Sequence, residues 1–278
     1  MARIGIIGYG FVGKAVECGF KPLHRIFIHD NAISSLTIEE VVDNSDFIFV
    51  CVPTPMDSSY RKIDLSIVEE VVGQIVNRSG NDKTSPLIVI KSTVIPGTTQ
   101  NLAKKFASRN IVFNPEFLTE ANYLNDFIHP DRIIIGADNK RSQDKLLSLY
   151  KKSFPNTRIF ITDSKTAEMV KYMCNTYLAT KVIFANEMFD LCKALNINYD
   201  EVKQMVVADH RIFDSHLEVT PQRGFGKKCF PKDMVALLGL ARELNVDMSL
   251  LKTVWRKNLK IRLVRDWENI PGAVSKKR

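Results

Sequence analysis

Three short segments of the chain bring reactive side chains together at spacings that packing alone does not require. Asn114-Pro115-Glu116-Phe117-Leu118-Thr119-Glu120 sets two carboxylates four residues apart, just after an apolar run. Lys171-Tyr172-Met173-Cys174-Asn175 sets an ammonium and an amide at i and i+4, on one face of a helix. Gly224-Phe225-Gly226-Lys227-Lys228-Cys229-Phe230-Pro231-Lys232-Asp233 sets a thiol between a glycine-rich loop and a helix start. A thiolate there is stabilised by the helix dipole and by neighbouring lysines. An ammonium with an amide suits an alkoxide or a developing oxyanion. A carboxylate, with a hydroxyl such as Thr93, suits positioning water and moving protons. Each group also has a plain structural reading. Cys229 could be a small buried hydrophobe, Lys171 and Asn175 an exposed helix face, Glu116 a helix cap, and Asp233 a cap that also does chemistry.

A fourth segment points to a cofactor. Gly8-Tyr9-Gly10-Phe11-Val12-Gly13 matches G-x-G-x-x-G between a strand pattern and a helix pattern. The first glycine permits a tight turn, the second lets backbone approach a pyrophosphate, and the third allows close helix–strand packing. Asp30 closes the next strand, 22 residues after Gly8, and can accept hydrogen bonds from adenosine ribose hydroxyls. Its charge repels a 2′-phosphate, and Asn31 rather than an arginine follows. NAD is expected over NADP.

The elements that must position these groups fall into two regions. The first alternates apolar runs, Arg3–Gly8, Arg25–His29, Asp46–Val52, Leu87–Lys91, Ile111–Asn114 and Arg132–Gly136, with helical stretches. Arg158–Ile161 reads as an edge strand. Such alternation implies an α/β fold, a Rossmann-type, doubly wound parallel sheet covered on both faces. From Ser164 to about Leu195 the pattern is helical without Gly or Pro, capped by Asp163 or Ser164. A helix of about thirty residues spans roughly 45 Å, a length suited to joining domains or forming a dimer interface. Helices are expected next over Tyr199–Val207, Lys232–Leu244 and Met248–Trp267. The expected division is an NAD-binding domain over 1–163 and an all-helical domain over 164–278.

Composition narrows the class further. No stretch approaches the roughly 18 uncharged apolar residues that span a bilayer. The amino terminus enters a strand pattern without a signal-peptide layout, so a cytoplasmic protein is expected. The five cysteines lack a CxxC pair and the five histidines lack ligand spacing, so neither a disulfide framework nor a metal site is expected. The formal charge of +8 is local: Lys252 to Arg278 holds nine Lys or Arg against two acids. A basic tail of that kind is a solvated or phosphate-facing helix more often than a nucleic-acid domain. Lys252, Arg256, Lys257, Lys260, Arg262 and Arg265 recur at spacings near one helix face, where they could meet a diphosphate or simply solvate the surface.

Taken with Val52-Pro53-Thr54-Pro55, Lys91-Ser92-Thr93-Val94, His129-Pro130-Asp131-Arg132 and Asp209-His210-Arg211-Ile212, these segments resemble the UDP-glucose and GDP-mannose dehydrogenase family along the whole chain. The resemblance implies NAD-dependent oxidation of a nucleotide-sugar primary alcohol to an acid, with UDP-glucose favoured, in a homodimer without nucleic-acid or membrane partners. It implies that Cys229 is the nucleophile and that Lys171, Asn175 and Asp233 surround the reacting carbon. Glu116, Thr93 and Glu120 would serve proton transfer and cofactor contact, and Val52, Pro53, Thr54, Ser92 and Lys232 would join the cofactor site. Phe117, Leu118, Phe225 and Gly226 would line the sugar, and Arg211 would reach it across the dimer.

The chain departs from the family in three places. Gly226-Lys227-Lys228 stands where the family has Gly-Gly and a small or aromatic residue, so the added ammonium groups either activate the thiol or crowd the pocket. Ser215 to Gln222 is unlike the usual substrate loop and leaves the sugar open. Longer relatives carry a third domain over the nucleotide, and a pocket lacking that wall is expected here. A β-hydroxyacid-type dehydrogenase, which needs no cysteine, and an inactive NAD-binding partner of a longer enzyme are the alternatives.

Overall fold

The computed structural model describes residues 1–80, 82 and 84–275. They form two units, Met1–Thr54 with Asp64–Lys171, and Pro55–Ile63 with the chain from Tyr172 onward. In the first, strands and helices alternate: β1 (Arg3–Ile7), α1 (Phe11–Phe20), β2 (Arg25–His29), α2 (Ile38–Asp43), β3 (Phe47–Val50), α3 (Ser66–Ser79), β4 (Leu87–Ile90), α4 (Thr98–Lys105), β5 (Ile111–Phe113), α5 (Tyr123–Ile128), β6 (Arg132–Gly136), α6 (Lys140–Ser153) and β7 (Arg158–Thr162).

Seven strands make one sheet in the order β2-β1-β3-β4-β5-β6-β7. Successive side chains of a strand point to opposite faces, and both faces here are buried. Ile48 and Val50 of β3 pack with Val68, Val72 and Ile75 of α3. Phe47 and Phe49 pack on the other side with Phe20 of α1 and Leu146, Leu149 and Tyr150 of α6. The α/β Rossmann-type reading therefore holds, with one difference. β5 and β6 pair antiparallel through Phe113 and Gly136, while β6 and β7 are parallel to each other. The connection between β5 and β6 contains only the short α5 and leaves and re-enters the sheet at the same end of the strands, so β6 runs in the opposite sense. That connection carries Asn114–Glu120.

The second unit is helical: α7 (Ser164–Ala194), whose first turns belong to the first unit, α8 (Tyr199–Val206), α9 (Cys229–Glu243) and α10 (Ser249–Ile261). Its core gathers Ala179, Ile183, Phe225, Met234, Leu238, Val254, Trp255 and Trp267. The excursion Pro55–Ile63 joins this core through Met56, whose backbone N–H donates to Ala273 O at 2.8 Å. Two helix limits differ from expectation by more than one residue. α9 starts at Cys229, because Pro231 sits in its first turn, where the missing N–H has no helical acceptor to lose. α10 stops at Ile261, because Arg262 is extended (φ −66°, ψ 115°).

The sequence changes character at 163/164, whereas the unit limit falls inside α7, between Lys171 and Tyr172. Asp163 starts the helix as expected, accepting from Thr166 N at 2.9 Å. The first two turns then pack on the sheet. Ala167 is buried there, and Gly136 has no room for a side chain, since a Cβ would lie 2.6 Å from Ala167 Cβ. Glu168 is fully buried and accepts from Gly97 N (2.5 Å), Thr99 N (2.8 Å) and Thr99 Oγ1 (2.6 Å). It thus caps α4, whose own N-cap residue is Gly97 and supplies no side chain.

Burial pushes the Glu168 carboxyl up to about 7, against the pull of those donors. Below the ordinary carboxylate range the group is protonated in both folded and unfolded chains. Between there and about pH 7 only the unfolded chain ionises, so its stabilising effect is lost as pH rises through that window. Stability measured by urea denaturation should decline across this window relative to Glu168→Gln, by on the order of 3 kcal/mol in total. Parallel curves for the two proteins would show that the carboxyl is ionised throughout.

Candidate active site

The Gly8–Gly13 loop meets the demands of a dinucleotide. Gly8 has φ +93°, and a Cβ there would lie 2.6 Å from Cys51 O. A Cβ on Gly13 would strike Gly8 O, whereas nothing lies within 4 Å of one on Gly10. The turn is therefore closed from behind and open where a pyrophosphate would approach. α1 begins there without a side-chain cap, which leaves its first N–H groups for an anion. Asp30 holds the loop, accepting from Tyr9 N (2.6 Å) and Ala32 N (2.7 Å). Each of its oxygens keeps a second lone pair for a ribose hydroxyl. Phe11 is exposed and meets the Tyr123 ring edge-on at 5.1 Å, and Val12 is half-buried. Ser92 donates to Val52 O at 2.7 Å, which ties the loop after β4 to Val52-Pro53-Thr54 after β3.

Beside β5, a buried ion pair organises the first acidic segment. Lys171 Nζ lies 2.8 Å from Glu116 Oε1 and also donates to Glu116 O at 2.7 Å. Both side chains are over nine-tenths buried. Burial pushes the Glu116 carboxyl up, but the Lys171 ammonium outweighs it and holds the group below its usual range. A second buried cation, Lys91, donates to Asn114 Oδ1 (2.7 Å) and Pro115 O (3.1 Å). Asn114 also accepts from the Tyr150 hydroxyl and donates to Ile134 O at 2.7 Å. Burial pushes Lys91 down to about 8, with Cys51 and Glu116 pulling the other way. The supporting role of Lys91 went unread in the sequence, although a lysine ending an otherwise apolar strand was the available sign. The Phe117 ring lies under Lys171 and a third cation, Arg132, with its centroid 5.6 Å from the Lys171 ammonium and 4.3 Å from the Arg132 guanidinium. Thr93 is buried, while Leu118 and Glu120 are half-buried.

In the helical unit, Cys229 is the first residue of α9 and is half-buried. One turn later Asp233 is almost fully buried, with both oxygens engaged. It accepts from Asn175 Nδ2 at 2.6 Å and from Lys232 Nζ at 2.5 Å. Lys232, expected at the cofactor, is thus bound to Asp233. Phe225 packs in the core against the Trp255 ring at 6.1 Å, so Gly226 is the more open of that pair. Arg211 is exposed and folds back on Asp209 of its own loop, at 2.5 to 3.1 Å. The basic segment is not a single cationic helix face. Lys252 pairs with Asp247, Lys257 with Glu187, Arg262 with Asp266 and Arg265 with Glu268, and the last two cations lie beyond α10. Lys276, Lys277 and Arg278, the end of that segment, lie outside the described residues.

Residues 16–154 match the model of the UDP-glucose/GDP-mannose dehydrogenase family, NAD binding domain, and residues 165–260 match that family's central domain. The chain belongs to the UDP-glucose/GDP-mannose dehydrogenase family. It is 38% identical over 221 residues to a UDP-glucose 6-dehydrogenase of Rickettsia conorii, covering 78% of this chain and 50% of that protein. It is 34% identical over 267 residues to a GDP-mannose 6-dehydrogenase of Pseudomonas syringae pv. tomato, covering 92% of this chain and 60% of that one. Among solved structures, a UDP-glucose dehydrogenase from Pyrobaculum islandicum superposes with TM-score 0.84 at 31% identity, over 94% of this chain and 68% of that chain. The chain spans about half the length of the curated UDP-glucose 6-dehydrogenases it matches. The family's cofactor is NAD, in agreement with Asp30 and the open turn at Gly10.

Because Lys171 and Glu116 are both out of water, removing one partner strands the other. Lys171→Met should destabilise the first unit by about 3–5 kcal/mol. The double variant Lys171→Met/Glu116→Leu should recover part of that loss in urea denaturation followed by circular dichroism. A loss in the double variant equal to the sum of the losses in Lys171→Met and Glu116→Leu alone would mean that the pair is not coupled.

Proposed function

We propose that this chain carries the NAD-binding and central domains of an enzyme that oxidises the C6 alcohol of a nucleotide sugar to a carboxylate. UDP-glucose is the favoured substrate, since the relative named for it is more similar than the one named for GDP-mannose, 38% against 34%. The observation that carries the reading is the placement of a thiol at the first residue of α9, one turn from a buried Asp233 held by Asn175. A purely structural cysteine has no need of that network. The oxidation removes four electrons, so each product consumes two NAD, and bound NAD supplies the hydride acceptor each time.

The chain's own groups do the rest. Lys171 and Asn175, one turn apart on α7, stabilise the alkoxide and later the oxyanion. Cys229 adds to the aldehyde carbon as thiolate and holds the intermediate as a thiohemiacetal, which the second oxidation turns into a thioester. Water then cleaves the carbon–sulfur bond, releasing the acid and returning the thiol. Glu116, kept ionised by Lys171, takes the proton of that water with Thr93 positioning it. The polar cavity of about 410 Å³ lined by Lys91, Glu116, Phe117 and Arg132 gives water a place beside the carboxylate. Phe117, Leu118 and Gly226 contact the sugar, and Glu120 and Ser92 serve the cofactor. Loading the full chain with UDP-glucose and NAD should release two NADH per sugar. Cys229→Ser should keep part of the first oxidation and lose acid production at least about a hundredfold. Undiminished acid formation by the serine variant would remove the thioester route.

The active form in this proposal is a homodimer. Met173, Tyr177, Phe184 and Leu191 are 71%, 64%, 56% and 53% exposed. Their spacing puts all four within about 40° on one side of α7. An apolar stripe of that length suits a second copy of the helix, and Arg211 would then reach the partner's sugar. Light scattering should give twice the mass of one chain, and Tyr177→Asp/Phe184→Asp should halve it. A wild-type chain that stays monomeric at micromolar concentration excludes the dimer.

A further inference from the structure

The loop before Cys229 is held almost entirely by side chains from distant parts of the second unit. Asn258 of α10 is fully buried and grips Phe225 from both ends. Its Oδ1 accepts from Phe225 N at 2.7 Å, and its Nδ2 donates to Phe225 O at 3.0 Å. A planar amide here does what a neighbouring strand would do. On one side, Asn186 of α7 accepts from Gly224 N at 3.2 Å and from Arg223 Nε at 2.7 Å. On the other, Asp266 accepts from Lys227 N at 3.0 Å, with Arg262 bridging Asp266 (3.0 Å) and Arg223 O (2.9 Å).

The backbone conformation needs this hold. Arg223, Gly224 and Lys227 all have positive φ, +58°, +53° and +59°. A left-handed lysine is strained by roughly 1 kcal/mol and persists only where its surroundings over-determine it. The Lys227 N–H is pinned by Asp266. A Cβ at Gly224 would strike Asn258 Oδ1, and one at Gly226 would displace the Arg262–Asp266 pair. α9 has no side-chain cap, and its N-cap Lys228 is already helical. The first turn of α9 therefore takes its start from the clamped loop rather than from a capping group.

We infer that Asn258 and Asp266 are positioning residues for the Cys229 thiol, fixing the strained loop so that α9 begins at Cys229. The catalytic meaning rests on the function proposed above, but the placement of the thiol is measurable without it. If the clamp loosens, the first turn frays and the thiolate loses the helix dipole that stabilises it. The basic segment past Lys252 then has a role in the fold through Arg262, rather than as an open diphosphate face.

The test is alkylation of the full chain by iodoacetamide across pH, read peptide by peptide by mass spectrometry. Asn258→Ala should move the midpoint of the Cys229 profile upward by about one pH unit and slow labelling near pH 7 about tenfold. Cys18, in the other unit, should label as in the wild type. Asp266→Asn should act in the same direction by a smaller amount. It also carries the test should Asn258→Ala lose its circular dichroism signature. With UDP-glucose and NAD, the same variants should lower kcat for acid formation at nearly unchanged KM. An unaltered Cys229 profile in the folded variants overturns the inference, as does a change that Cys18 shares equally. Neither outcome touches the stoichiometry and Cys229→Ser results, so failure of the clamp and failure of the proposed reaction are told apart.

Discussion

A charge taken out of water must be met by a partner, and in this protein that constraint organises the surroundings of the candidate groups. Lys171 and Glu116 are each over nine-tenths buried and face one another at 2.8 Å. Neither could stay ionised there alone, because an unpaired charge in such a place costs several kcal/mol. Asp233 is met in the same way by Asn175 and Lys232. The groups that hydride and acyl chemistry would use are thus held in fixed rotamers by one another. Each unit supplies its own self-consistent network.

These networks in turn constrain the backbone that bears them. Lys91 fastens Asn114 and Pro115, so the turn carrying Glu116 cannot relax away from Lys171. Glu168, one turn before Lys171 on α7, fastens that helix to the start of α4. In the helical unit, Asn258, Asn186 and Asp266 do the same for the loop that leads into Cys229. In each case a polar side chain supplies hydrogen bonds that no strand or helix ladder is there to supply. Reactive groups on irregular backbone gain fixed positions this way, at the cost of burying many polar atoms.

The basic segment shows how a reading by composition alone can mislead. Its cations are spaced as if for one helix face, yet α10 ends at Ile261 and four of them sit beside carboxylates. The charge count was right, and what misled was the expectation of one continuous helix, since α10 ends before Arg262 and Arg265. Asp247, Asp266 and Glu268 stand within five residues of their partners, and of the four only Glu187, on α7, is brought to its partner Lys257 by helix packing. Surface pairs of this kind contribute little each. The buried side of Arg262 is the exception, since it also holds Arg223 O.

The sequence by itself determined the alternation of apolar strands with helices, the glycine turn, the acidic end of β2 and the long α7. All of these follow from local rules: side-chain period, backbone freedom at glycine, and capping. It also carried the reactive motifs, because their residue types are unusual at those spacings. Tertiary structure decided that β6 turns against the sheet and that the first turns of α7 belong with the strands. It also decided that Met56 is part of a helical core. It alone paired Lys171 with Glu116, set Lys91 beneath Asn114, and brought Asn258 to Phe225 across 33 residues. Such contacts join positions distant in the chain, and no local pattern encodes them. They arise because buried polar groups take whichever partners the packed elements bring within reach.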